Sequence, residues 1–210
     1  MKYQFGRFGG QYVPEIVVNA LNDLEIAFNE AIENLGSTKS KAEAIAAHTK
    51  KTIKENAHTD PEFYNRFSDK IEELLKKLHQ KKLEDLEALK QMNEIKDKVT
   101  NKEDESIPAS IKAVKGADIF YRNLEEKFKA QKIEGEEYNQ IILNIFDLLK
   151  KEAIVDWYRN SEVRRIITNR IDDYIYDEIV SKQEIKMTND EIKSIINSVI
   201  ELAILNHEVI

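Results

Sequence analysis

The residues best suited to chemistry lie late in the chain. Four of the seven arginines, Arg159, Arg164, Arg165 and Arg170, fall within twelve residues, just after Lys150 and Lys151. Trp157 and Tyr158 sit among them. Guanidinium forks suit phosphates and carboxylates bidentately, and an aromatic ring stacks on a base or a guanidinium. Residues 157–171 carry a net +3 in a chain of −7. These eight residues form the candidate DNA- or partner-binding set. The plainer alternative is structural. With Ile167 at the centre of a helical stripe, Arg164 and Arg170 lie about 60° to either side. Such arginines lay their stems along the core edge and pair with carboxylates such as Asp173. Only Arg165 points clearly outward on that wheel.

Other chemistry is sparse. The sequence has no cysteine, which removes thiol catalysis, disulfides and cysteine-based zinc sites. It contains no GxxxxGK[ST], GxGxxG, HExxH or GxSxG pattern. His48, His58, His79 and His207 are far apart, and His207 is expected on the apolar face of the last helix near its C-terminus, as a core-edge histidine. Asp172, Asp173 and Asp177 form the tightest acidic group. Adjacent helical residues diverge by about 100°, so a solvated face is expected rather than a metal site. No catalytic and no metal-binding residue is assigned.

The elements that would position these groups are helical. Six glycines and three prolines in 210 residues favour long helices and few tight turns. Apolar residues recur every three or four positions in Pro14–Leu35, in a second helix ending near Asn56, and in a third that contains Phe63, Tyr64, Phe67, Ile71, Leu74, Leu75 and Leu78. Tyr138, Ile141, Ile142, Ile145, Phe146 and Leu149 mark a central helix. Capping signals stand at Ser40–Glu43, Thr59–Glu62 and Thr188–Glu191, and Ser161 is placed to cap the Arg-rich helix. The expected fold is an all-α multi-helix bundle of about eight to ten helices. One short extended segment is expected near 153–158, where Ile154, Val155, Trp157 and Tyr158 cluster. Residues 1–13 are expected to be irregular and 14–210 to form the helical domain, with a subdivision near 101–116.

With 41% hydrophobic and 34% charged residues the chain has material for a core and is no disordered tail. No apolar run approaches the ~20 residues of a membrane span, and Met1–Gly10 lacks the apolar core of a signal peptide. A cytoplasmic protein without membrane association is expected.

Ala47–Leu75 (AHTKKTIKENAHTDPEFYNRFSDKIEELL) and Ala153–Ile175 (AIVDWYRNSEVRRIITNRIDDYI) resemble the C-terminal helical region of the R (HsdR, restriction and motor) subunits of type I restriction–modification enzymes. The two segments occur in the family's order. The resemblance implies a non-catalytic domain that docks the motor and nuclease subunit on the methyltransferase core of M and S subunits, with weak DNA contact. The complete subunits belong to type I site-specific deoxyribonucleases; ATP and Mg²⁺ serve their upstream domains, whose motifs are missing from this sequence, so the resemblance implies no cofactor here. The alternative is a DNA-binding module acting through the Arg-rich helix. A remoter resemblance links Gly6–Glu15 (GRFGGQYVPE) to the start of the tryptophan synthase β chain, though the lysine and Gly-rich segments that hold pyridoxal phosphate in that family are missing.

Overall fold

A computed structural model describes residues 23, 26, 27, 29–181 and 185–210. The expected irregular segment 1–13 and most of the expected helix Pro14–Leu35 lie outside them. The helices are α1 (Thr38–Asn56), α2 (Pro61–His79), α3 (Asp85–Asn101), α4 (Ala109–Lys112), α5 (Ala117–Lys129), α6 (Gly135–Glu152), α7 (Ser161–Tyr174) and α8 (Asn189–Leu205). Single 3₁₀ turns occupy Trp157–Arg159 and His207–Val209, and α7 continues into a π-helical stretch, Ile175–Ser181. The described residues contain no strand, so the fold is all-α as the apolar periodicity predicts.

The start signals resolve with two corrections. Thr188 and Glu191 form the expected capping box, each accepting the other's backbone N–H. Asp60 Oδ1 accepts from the Phe63 N–H at the start of α2. The box expected at Ser40 lies inside α1, because Ser37 Oγ already accepts from the Ser40 N–H at 3.1 Å. Glu43 is then free to meet His79 Nε2 at 2.8 Å. Similarly, Asn160 rather than Ser161 caps α7: its side chain accepts from the N–H groups of Glu162 and Val163. Asn and Ser cap equally well, so the residue with extended dihedrals takes the role.

The described residues sort into two compact units. One takes those up to Thr49 together with Ile71–Lys96. Its buried residues include Ile45, Ala46, Ile71, Leu74 and Met92, and Ala42, Leu78 and Ala88 form a cluster against which Leu83 and Leu89 pack.

The other unit takes Lys50–Lys70 with Asp97–Ile210. As expected, α6 is central in composition: Tyr138, Ile141, Ile142, Ile145, Phe146 and Leu149 are all buried. Both α6 and α8 pack on α5 and on α7. Phe120 of α5 meets Phe146 of α6 edge-on, with ring centroids 5.4 Å apart. Tyr138 donates its hydroxyl to the Tyr121 carbonyl, and burial pushes the phenol's pKa well up. Gly116, at φ 91°, opens α5 where a Cβ would come 2.7 Å from Val209 Cγ2, so both the dihedral and the space require glycine.

This unit also buries a charge. The Arg122 side chain is 3% exposed and meets Asp60, Asp118 and, at 3.7 Å, Asp104. Its Nε donates to Asp60 Oδ2 at 3.0 Å. Asn123 Nδ2 donates to Asp60 Oδ1 at 2.7 Å, while Asn123 Oδ1 accepts from the Glu62 N–H at 3.1 Å. The guanidinium also lies 5.1 Å from the Phe63 ring centroid. Asp104 further accepts from Arg66 at 2.9 Å and from the Ser106 hydroxyl and N–H. Burial opposes the charged form of Asp104, but Ser106, Arg66 and Arg122 outweigh it and hold the carboxyl below its usual range.

Removing one partner of such a network leaves buried charge uncompensated. Arg122→Ala is expected to cost about 3–5 kcal/mol in chemical denaturation. Because the folded pKa of Asp104 is depressed, its contribution is present above about pH 4 and is lost as pH falls through the lower folded value. Asp104→Asn should therefore be less stable at neutral pH and show a flatter stability profile below about pH 4. A wild-type acid profile in Asp104→Asn would contradict this.

Candidate docking surface

The eight candidate residues gather around one chain reversal between α6 and α7. Ala153 leaves α6 with extended dihedrals, φ −74° and ψ 113°. The following chain forms turns rather than the expected extended segment. The Trp157 N–H donates to the Ile154 carbonyl, that of Arg159 to Asp156, and that of Asn160 to Trp157, each at 3.0 Å. Asp156 takes the left-handed conformation, φ 58° and ψ 22°, which Asp tolerates better than most residues. The physical reason for the reversal is the indole. Trp157 is 3% exposed and belongs to the core cluster that contains Leu149, Ile167 and Ile171. Bringing it inward so soon after α6 ends requires a tight turn, and that turn leaves Ile154 58% and Val155 91% exposed.

The basic side chains surround this reversal in different states. Lys151 pairs with Asp147 at 2.6 Å, and Arg165 pairs with Glu162 one turn away on α7. The Arg165 hydrogen bond holds the Glu162 carboxyl below its usual range. Arg170 meets Glu152, not the expected Asp173, at 3.5 Å, which ties α7 to the last turn of α6. Arg164 is half-buried and Ile167 fully buried, in keeping with a stripe centred on Ile167. Lys150 lies over the Phe146 ring and Arg159 over the Tyr158 ring, at 4.8 and 5.2 Å from the centroids. Tyr158 is half-buried, and its ring stands edge-on to that of His207, centroids 3.8 Å apart. His207 falls in the 3₁₀ turn beyond α8, not on its apolar face.

Of the eight, Trp157 is therefore part of the core and Tyr158 partly so, while the six cations remain at or near the surface. Sequence reading does not single out Ile154 and Val155 as exposed. The signal is nonetheless present: a Trp two residues after Val155 that has to be buried.

The acidic residues take another place. Asp172, Asp173 and Asp177 line a groove of about 490 Å³ between α7 and α8, with Asn169, Tyr176 and Lys193. Among the described residues no three carboxylate or histidine groups are arranged to hold a metal ion. No helix among them is long and apolar enough to cross a membrane.

The family comparison falls on this same architecture. The model for the C-terminal region of Type I restriction enzyme HindI endonuclease subunit-like proteins matches residues 15–208. The chain belongs to that family. No solved structure matches it. The HindI-like match agrees with the resemblance to the C-terminal helical region of R subunits, and spans both α1–α2 and the Arg-rich helix. It starts at Glu15, beyond most of the segment that resembles the tryptophan synthase β chain.

In this HindI-like C-terminal domain Trp157 is expected to hold the reversal in place. Trp157→Ala should destabilise the domain by about 3–5 kcal/mol, as other large aromatic truncations do. The indole Nε1 is buried and has no hydrogen-bond partner among the described residues. Trp157→Phe forfeits no hydrogen bond there and should cost clearly less than the alanine variant in urea denaturation. Equal losses would show that the indole N–H, not the bulk, matters.

Proposed function

We propose that residues 14–210 form a non-catalytic assembly module of a type I R subunit, which docks the motor and nuclease subunit on the methyltransferase core of M and S subunits in the cytoplasm. The observation that carries this reading is the surface at 150–170 in a chain of this family. Its centre is apolar, Ile154 and Val155, and several of its cations already hold carboxylates. Protein interfaces are built this way, with an apolar centre and a charged rim.

DNA contact is a secondary role. Residues 172–210 carry nine acids and three bases, and that acidic segment opposes DNA approach at low salt. A few arginine–phosphate contacts give non-specific dissociation constants on the order of 10⁻⁴–10⁻⁶ M at physiological salt. In this reading the chain itself binds neither ATP nor Mg²⁺ for catalysis.

Two titrations test the proposal, one with duplex DNA and one with the cognate methyltransferase complex, using wild type and the Arg159→Ala/Arg165→Ala double variant. Docking to the complex is expected to be the tighter interaction, with DNA binding weak and lost as salt rises. Nanomolar DNA binding at physiological salt without detectable docking would assign the surface to DNA instead.

A further inference from the structure

The turn between α6 and α7 has the properties of an anchor. Reverse turns ordinarily expose Gly, Pro, Asn, Asp or Ser. Here the exposed positions are Ile154, Val155 and Asp156, and the first two are β-branched aliphatic residues at 58% and 91% exposure. Their backbone is held from several sides: successive turn hydrogen bonds, the buried Trp157 beneath, and the Asn160 cap on α7. On α7, Ile166 is a further exposed apolar residue. It is 41% exposed and lies one turn before Arg170 on the same face of α7, and Arg170 meets Glu152 where α6 gives way to the turn.

The surrounding charge is positive. Residues 150–170 contain six basic and three acidic residues. Two of those acids, Glu152 and Glu162, are engaged by Arg170 and Arg165. Lys150, Arg159 and Arg164 have no carboxylate partner among the described residues; Lys150 and Arg159 lie over the rings of Phe146 and Tyr158, and Arg164 is half-buried.

We propose that Ile154 and Val155 anchor the docking of this domain by inserting into an apolar pocket, rimmed by carboxylates, on a partner protein. The inference rests on the docking reading above and names its centre. Because the turn is already fixed in the free chain, little ordering is lost on binding, which favours a small apolar anchor. The unpaired cations then steer the approach and meet the acidic rim.

The test uses the full chain, immobilised and titrated with the cognate methyltransferase complex. Val155→Asp and Ile154→Ser change exposed atoms, so thermal midpoints near that of wild type confirm that they fold. The expected result is affinity for the complex reduced about ten-fold or more by Val155→Asp, as for a central anchor. Arg159→Glu/Arg164→Glu should also weaken binding, by a factor that shrinks as salt is raised. If wild type docks and both tip variants dock equally well, the anchor is elsewhere and the docking function stands. If wild type does not bind the complex, both readings fall. A loss of duplex-DNA affinity in Val155→Asp, with the complex bound as before, would make the tip a DNA wedge and overturn the inference.

Discussion

Arg122 holds a permanent positive charge in an almost fully buried position, and the packing around it is arranged to make that tolerable. Taking a guanidinium out of water is costly unless several acceptors replace the lost hydration. Asp60, Asp118 and Asp104 supply them, from the N-terminus of α2, from α5 itself and from the loop after α3. One side chain thus sets how α5 lies against the first turns of α2. Asn206 adds a further tie, donating to the Thr59 carbonyl just before α2. With α5 placed, Phe120 and Phe128 define the surface on which α6 packs. The end of α6 in turn fixes where the chain must reverse into α7.

At that reversal, burial of a single large aromatic decides what faces the solvent. Trp157 goes into the core, and the residues between it and Ala153 are turned outward whatever their polarity. The result is an outward-facing turn, with Ile154 and Val155 beside Asp156, and a cationic border. Catalytic sites are mostly concave, because a reaction needs water excluded from several sides. A rigid projection instead suits insertion into another surface. The groove between α7 and α8 is the concave feature next to the same helix, and its lining is mainly Asp and Asn. The two faces therefore differ in both shape and charge.

Much of this is legible in the sequence. The apolar stripes of α2 and α6 survive as buried residues, because spacings of three and four map directly onto one face of a helix. The capping box at Thr188 is equally plain, since both members lie within one turn. Differences arise where two nearby residues can do the same job. Ser37 and Ser40, or Asn160 and Ser161, are alike in chemistry; Ser37 accepts from the Ser40 N–H, and the extended dihedrals of Asn160 give it the cap of α7. The Arg122 network is not visible in the sequence, although Asp118 and Arg122 stand four residues apart. Its other members, Asp60 and Asp104, are distant along the chain, and no local pattern records that a charge will be buried. The partner of Arg170 escapes sequence reading for the same reason. At 153–158 the β-branched and aromatic residues suggest extended chain, whereas the pull of Trp157 on the core produces turns.

The central claim is that the surface around 154–165 docks onto a protein partner. Hydrogen–deuterium exchange of the full chain, alone and with the methyltransferase complex, tests it most directly, since exchange reports where backbone amides become protected. The account predicts slowed exchange at residues 154–156 and in the first turns of α7 when the complex is present, with the α7–α8 groove unchanged. Protection confined to the groove, or the same protection at the tip from duplex DNA alone, would contradict it.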